Sequence, residues 1–224
     1  MKPKLYVLHG ALGSCESLQG VAHLLEPNFE VYLHTFPGHG HVAPIPNWTL
    51  GKLAEHLLET LPESAFVFAY SMGGYVALLA ETLKPGYLNA LFCLGTKFDW
   101  SAESSAREIK KLDCAFLQAK APEYVAQLKV LQGEDRWEAL LHETGQMMQD
   151  LSERETLHRA AFTGLKCPVT ICLAENDRMV SRTESLEMLN VLPKAEFVGI
   201  EGGHSLDSID QNVLANLIKE RFLG

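Results

Sequence analysis

The sequence predicts an α/β chain: a three-layer fold on a mostly parallel sheet of about six strands, with an inserted helical cap. Three observations predict it. Short apolar runs alternate with helical stretches through residues 1–95 and again through 165–224, the rhythm of strands joined by covering helices. Residues 96–164 lack a strong strand run and set Leu, Ala, Trp and Met at helical spacings among acids and bases. The residues best suited to chemistry sit just after strands, where such sheets carry their functional loops.

The elements follow in order. Residues 5–8 form the first strand, ending at His9-Gly10, and 17–25 a helix closed by Pro27 and Asn28. A second strand over 29–33 is rich in aromatic and branched side chains. The loop Phe36-Pro37-Gly38-His39-Gly40-His41, extended by Pro44 and Pro46, leads to a helix over 50–61 that Thr49 is placed to cap. A third strand over 65–70 precedes a helix over 72–83, which opens with two glycines and stops before Pro85-Gly86. The fourth strand spans 88–94. Several short helices, punctuated by Pro122, Gly133 and Gly145, are expected in 96–164. Strands over 169–174 and 195–200 then flank a helix over 182–189, and a last helix runs from 206 to 222 with Asp207 placed to cap it.

Composition narrows the function. The 224 residues are 47% hydrophobic and 21% charged, enough for one sizeable core plus a small lobe. A net charge of −9 without clustered Lys or Arg argues against a nucleic-acid partner. No apolar run is long enough for a membrane span, and the start MKPKLYVLHG lacks a secretory pattern. Cys15, Cys93, Cys114, Cys167 and Cys172 are irregularly spaced, so the expected compartment is the cytoplasm and most thiols are expected to be buried. His23, His34, His56, His142 and His158 have no metal-ligand spacing, and neither metal nor cofactor is expected.

The sharpest feature is Val67-Phe68-Ala69-Tyr70-Ser71-Met72-Gly73-Gly74-Tyr75. It sets a serine between strand and helix with small residues two positions away on either side, as a nucleophile elbow requires. Serine also caps helices, so the run alone leaves both roles open. A serine nucleophile needs a base and a group that orients the base. His204, in Glu201-Gly202-Gly203-His204-Ser205, is the candidate base; Asp177, after the preceding strand, is the candidate orienting acid, with Asp99 as the alternative. The oxyanion donors are expected to be the backbone amides of Met72 and Ala11. His9 reads as an organiser of the Ala11 loop. Leu12, Trp100, Trp137 and Met148 are candidate substrate-pocket residues, with Phe116, Met147 and Phe162 further apolar candidates from the cap.

Taken together, His9-Gly10 with Gly13-Ser14, Phe36-Pro37-Gly38-His39-Gly40, the Ser71 elbow, Asp177 with Val180, and Gly203-His204 resemble the α/β-hydrolase superfamily. The likeness is to its compact bacterial, carboxylesterase-like members with a helical cap. It covers nearly the whole chain and departs at Ala69, which stands where the elbow motif has glycine, and at Thr35-Phe36, where an acid is usual. The resemblance implies a reduced six-stranded core, a Ser71–Asp177–His204 triad and hydrolysis of a small carboxylic ester. Two alternatives remain: a carbon–carbon bond hydrolase or lyase acting on a small carbonyl metabolite with the same triad, and a non-catalytic ligand-binding protein. Monomer and homodimer are both open.

Overall fold

Short continuous apolar runs dictate a sheet buried on both faces, and the computed structural model contains one, with every residue of its two strands over 90–94 and 169–174 buried. It describes residues 1–46 and 48–224, the side chains of 155–157 excepted. Strands Lys4–Leu8 (β1), Glu30–His34 (β2), Phe66–Tyr70 (β3), Ala90–Leu94 (β4), Val169–Ala174 (β5) and Ala195–Ile200 (β6) lie in the order β2-β1-β3-β4-β5-β6. Every neighbouring pair is parallel, so the expected mostly parallel sheet is wholly so among the described residues. The chain reverses its direction of travel across the sheet between β1 and β3, which opens a crevice at their carboxyl ends.

Successive residues of a strand point to opposite faces. Leu5, Val7, Phe68, Phe92, Leu94 and Cys172 therefore pack on one side, under Val21 and Leu25 of helix Gln19–Leu25 (α1) and Leu214, Ile218 and Phe222 of Gln211–Leu223. Leu8, Val67, Ala69, Leu91, Cys93 and Ile171 pack on the other, under helices Leu50–Thr60 (α2) and Met72–Leu83 (α3). Thr49 caps α2 as expected, accepting from the Lys52 amide at 3.2 Å. Cys93, Cys167 and Cys172 are buried and all five thiols are free; burial pushes Cys167 and Cys172 up to about 12.

The insertion between β4 and β5 is a helical cap region: Ala102–Lys110 (α4), Cys114–Lys120 (α5), Pro122–Gln132 (α6) and Trp137–Phe162 (α7). Three of these helices are short, but α7 runs for 26 residues straight through Gly145, where a break was expected. Tertiary packing outweighs the helix cost of one glycine, about 1 kcal/mol. The first turns of α7 place Trp137, Leu140 and Leu141 in a cap cluster with Val125 and Leu128, while Met147, Met148, Leu151 and Phe162 enter the main core beside α3. The same helix thus belongs to cap and core.

Helix Arg182–Glu187 (α8) follows β5, and the chain closes with Gln211–Leu223 (α9). The expected start of that last helix, at 206 with Asp207 as cap, is corrected. Leu206–Ser208 is a separate 3-10 turn, and Asp210 caps α9 by accepting from the Asn212 and Val213 amides at 2.8 and 3.3 Å. The turn stays apart because Ile209 is extended, at φ −109° and ψ 133°, and the Ser208 hydroxyl accepts from the Gly203 amide at 2.8 Å.

Candidate active site

Ser71 alone makes the turn from β3 into α3, at φ 52° and ψ −117°. This left-handed setting costs a non-glycine residue about 1–3 kcal/mol and persists only where the surroundings over-determine it. Here they do. The Ser71 amide donates to the Leu94 carbonyl at 2.8 Å, and the Thr96 hydroxyl donates to the Ser71 carbonyl at 3.1 Å. Gly73 lies so close to β1 that a Cβ there would sit 2.7 Å from the His9 carbonyl oxygen and 3.0 Å from that of Leu8; one on Gly10 would sit 3.0 Å from the Ser71 Cβ. The side chain makes no capping bond to the helix. Capping therefore does not account for Ser71.

Its hydroxyl instead faces His204, with Oγ 3.2 Å from Nε2. The other ring nitrogen, Nδ1, is 2.7 Å from Asp177 Oδ2. A carboxylate accepts and cannot donate, so Nδ1 carries the proton and Nε2 is left to accept from Ser71. Asp177 Oδ1 accepts from the Met179 and Val180 amides at 2.8 and 2.9 Å, which locks the carboxylate plane. Burial opposes its charge, but the His204 contact and the Val180 and Met179 amides outweigh burial and hold the carboxyl below its usual range. Asp99 is engaged elsewhere, accepting from the Ser101 amide at 3.1 Å, and Glu175 is exposed.

Further residues support the relay. The Tyr70 hydroxyl donates to the His204 carbonyl at 2.8 Å, and burial followed by Asp177 pushes its pKa well up, keeping it a neutral donor. Gly95, at φ 61°, passes beneath the histidine–aspartate pair: a Cβ there would sit 3.4 Å from the His204 ring and 3.5 Å from Asp177 Oδ2. Gly95 and Thr96 follow β4 directly, so the strand-end rule that found the other loops also covers them. Gly202, at φ 124°, admits no side chain, since a Cβ would stand 2.6 Å from the Ser208 carbonyl oxygen.

The loop after β1 is a tight turn, with the Gly13 amide donating to the Gly10 carbonyl at 3.2 Å. Leu12, rather than a glycine, takes the left-handed backbone at φ 60°. Buried His9 ties this loop to the Pro37-Gly38 loop: its Nε2 accepts from the Phe36 amide at 3.0 Å and its Nδ1 donates to the Gly10 carbonyl at 2.7 Å. Burial, with His39 nearby, holds its pKa well below the usual value. From the cap, Gln132 donates to the Leu12 and Gly13 carbonyls at 2.8 and 3.1 Å and accepts from the Gly40 amide at 2.6 Å. Arg136 adds a bond to the Gly38 carbonyl at 3.2 Å.

Beside Ser71 lies a cavity of about 20 Å³, bordered by Ala11 and Met72, by the apolar Trp100, Met147, Met148 and Met179, and by Tyr75 and Lys97. Trp100 and Met148 thus stand at the site. Leu12 and Trp137 do not border it; Leu12, from the loop after β1, packs with Trp137, Val125, Leu128, Leu140 and Leu141 of the cap. Phe162 lies in the core, and Phe116 is exposed on a separate cap groove of about 1100 Å³ that does not reach Ser71. Among the described residues, no three His, Cys, Asp or Glu side chains are grouped to hold a metal, and no helix is long and apolar enough to cross a membrane.

A model of the alpha/beta hydrolase family matches residues 5–212. The chain belongs to that family. Within it, this chain is 32% identical over 108 residues to the pimeloyl-[acyl-carrier protein] methyl ester esterase of Vibrio vulnificus, a match covering 48% of this chain and 42% of the relative. The enzyme of the same name from Methylococcus capsulatus is 32% identical over 92 residues, 41% of this chain and 36% of the relative. The matched stretch therefore spans less than half of either relative. Among solved structures, a putative lipase from Acinetobacter baumannii superposes with a TM-score of 0.83 at 19% identity, covering 99% of this chain and 84% of that one. NosK from Streptomyces actuosus gives 0.83 at 18% identity with both chains fully covered. At such identities the likeness is one of fold.

Proposed function

We propose that this alpha/beta hydrolase is a serine esterase cleaving a small carboxylic ester through an acyl-enzyme. The observation that carries the reading is the unbroken relay from Ser71 Oγ to His204 at 3.2 Å and from His204 to Asp177 at 2.7 Å, ending on a strained turn at the sheet crevice. Fold alone does not select a chemistry, whereas a base within reach of a serine does. His204 removes the Ser71 proton as Oγ attacks the ester carbonyl, and Asp177 holds the histidine tautomer and supports the imidazolium. The Ala11 and Met72 amides, whose residues border the same cavity, receive the oxyanion. His204 then protonates the departing alkoxide and activates the water that releases the acid. The esterase names of the relatives agree with this chemistry.

In this reading residues 1–95 and 165–224 are the catalytic core and 96–164 the cap. Trp100 and Met148 contact substrate, while Leu12 and Trp137 pack the cap against the loop after β1. A space of about 20 Å³ admits roughly one water, so the cap must part from the core for an ester to enter. The reading places the enzyme in the cytoplasm, acting on a soluble metabolite.

Incubation with a reactive phosphonate and with short p-nitrophenyl esters tests it. The expected result is a covalent adduct on Ser71 and ester turnover, both lost in Ser71→Ala with folding intact. Labelling that persists in the variant, or a wild-type protein that neither labels nor turns over esters, overturns the proposal.

A further inference from the structure

One cation lies inside the site. Lys97 follows β4 by way of Gly95-Thr96 and is only 3% exposed. Its ammonium donates to the Met179 carbonyl at 3.3 Å and stands 5.7 Å from the centre of the Trp100 ring. Lys97, Met179 and Trp100 all border the cavity that contains Ser71. The ammonium thus lies against two residues that line the proposed substrate space.

Its counter-ion does not use it fully. The nearest carboxylate oxygen, Glu184 Oε1, is 3.6 Å away, an ion pair beyond hydrogen-bond length. That oxygen already accepts from the Phe98 and Asp99 amides, at 2.9 and 3.3 Å. Oε2 accepts from the amide and the hydroxyl of Ser181, at 3.1 and 3.0 Å. Four neutral donors fill the acceptor sites of this buried carboxylate. An ammonium has three donors, and among the described residues Lys97 makes one hydrogen bond. A buried cation with unused donors on the wall of a cavity favours an anionic occupant.

We propose that Lys97 determines specificity in this site and that the substrate carries a free carboxylate near its scissile carbonyl, as in a monoester of a short dicarboxylic acid. The inference rests on the esterase reading above. Lys97 receives the substrate carboxylate while Ser71 attacks the ester carbonyl at the other end of a short acyl chain. Water's hydroxyl ends on the acyl carbon as the carbon–oxygen ester bond breaks. The alkoxide takes one proton as it leaves, and the new carboxylic acid releases one to solvent, giving a dicarboxylate and an alcohol. A Lys97 that merely neutralised Glu184 would confer no dependence on substrate charge.

Rates with monomethyl succinate and methyl 4-oxopentanoate separate the two roles. The second replaces the carboxylate by a methyl ketone of similar shape, and the first is ionised at pH 7. The wild type is expected to favour the anion in kcat/KM by about 10- to 100-fold, the range of a charge-assisted hydrogen bond. Lys97→Met should bring that ratio close to one, and Lys97→Arg should restore part of it. If Lys97→Met fails to fold, pairing it with Glu184→Gln removes both buried charges and serves in its place. Equal rates on the two esters in the wild type, or a preference that survives the loss of Lys97, overturns the proposal while leaving a labelled, active esterase. Absence of both turnover and Ser71 labelling instead removes the reading beneath it.

Discussion

Replacing Asp177 with asparagine tests the relay at its most constrained atom. Asp177 Oδ1 accepts from two amides at 2.8 and 2.9 Å, so the carbonyl oxygen of the new carboxamide stays there. Its NH2 group then faces His204 Nδ1, which must accept. The imidazole proton moves to Nε2 and points at Ser71 Oγ, 3.2 Å away, where a base is needed. Recovering the working tautomer means turning the amide, which loses two hydrogen bonds and sets donors against donors. At about 1–3 kcal/mol for each unsatisfied group the cost is about 3–5 kcal/mol. With a tenfold rate change for every 1.36 kcal/mol, kcat should fall by about 10²- to 10⁴-fold. The assay is steady-state hydrolysis of p-nitrophenyl acetate, with thermal unfolding measured in parallel. Asp99→Asn should stay within about threefold, since its carboxylate serves a local turn at Ser101. Asp177→Asn retaining more than a tenth of wild-type kcat, or Asp99→Asn matching its loss, refutes the reasoning.

Further outcomes follow from named contacts and from burial. Gly73→Ala, whose Cβ meets backbone oxygens at 2.7 and 3.0 Å, should lose about 1–3 kcal/mol and most turnover; Gly145→Ala, with only ordinary contacts at 3.8 and 4.0 Å inside α7, should gain about 0.5–1 kcal/mol by urea titration. Gln132→Leu severs three bonds between the cap and the loops at Leu12, Gly13 and Gly40, and should lower kcat/KM about tenfold and stability by about 2 kcal/mol or more. Burial lowers His34 and His39 to about 4, so below pH 6.5 the unfolded chain binds protons that the folded chain refuses. Stability should therefore fall from pH 6.5 toward 4, by up to about 1.4 kcal/mol per unit for each histidine. Urea midpoints against pH should show this slope, and His39→Phe should flatten it. Asp177, held below its usual range, adds a loss at still lower pH as its carboxylate protonates.

The loops that meet at Ser71 were legible because their signals are local. A strand announces itself by a short apolar run and by where that run stops, and a residue just past that stop is held at the sheet crevice whatever the rest of the chain does. Ser71, Asp177 and His204 were found in this way. The same rule explains a near ambiguity: Asp99 also follows a strand, and the loop around Asp177 favours that acid without excluding the other. Only folded contacts do, through the Ser101 amide at one and the Met179 and Val180 amides with His204 at the other.

The cap resisted sequence reading for the opposite reason. Apolar residues at helical spacing show that a helix buries a face, but do not say against what. Trp137 and Met148 belong to the same helix and the same kind of pattern, yet one packs within the cap and the other borders the cavity beside Ser71. Gly145 reads as a break until the two halves of α7 are seen anchored in separate clusters. The roles of Gln132 and Lys97 depend on partners far away in the chain, Leu12 for one and Met179 with Glu184 for the other. By itself the sequence determined the α/β framework, the serine and histidine of the relay and two candidate acids for it, because periodicity and turn chemistry act over a few neighbours. Only the tertiary structure decided which acid serves His204, which cap residues reach the site and that a buried cation stands beside Ser71, because burial and pairing depend on segments that meet only when the chain is folded.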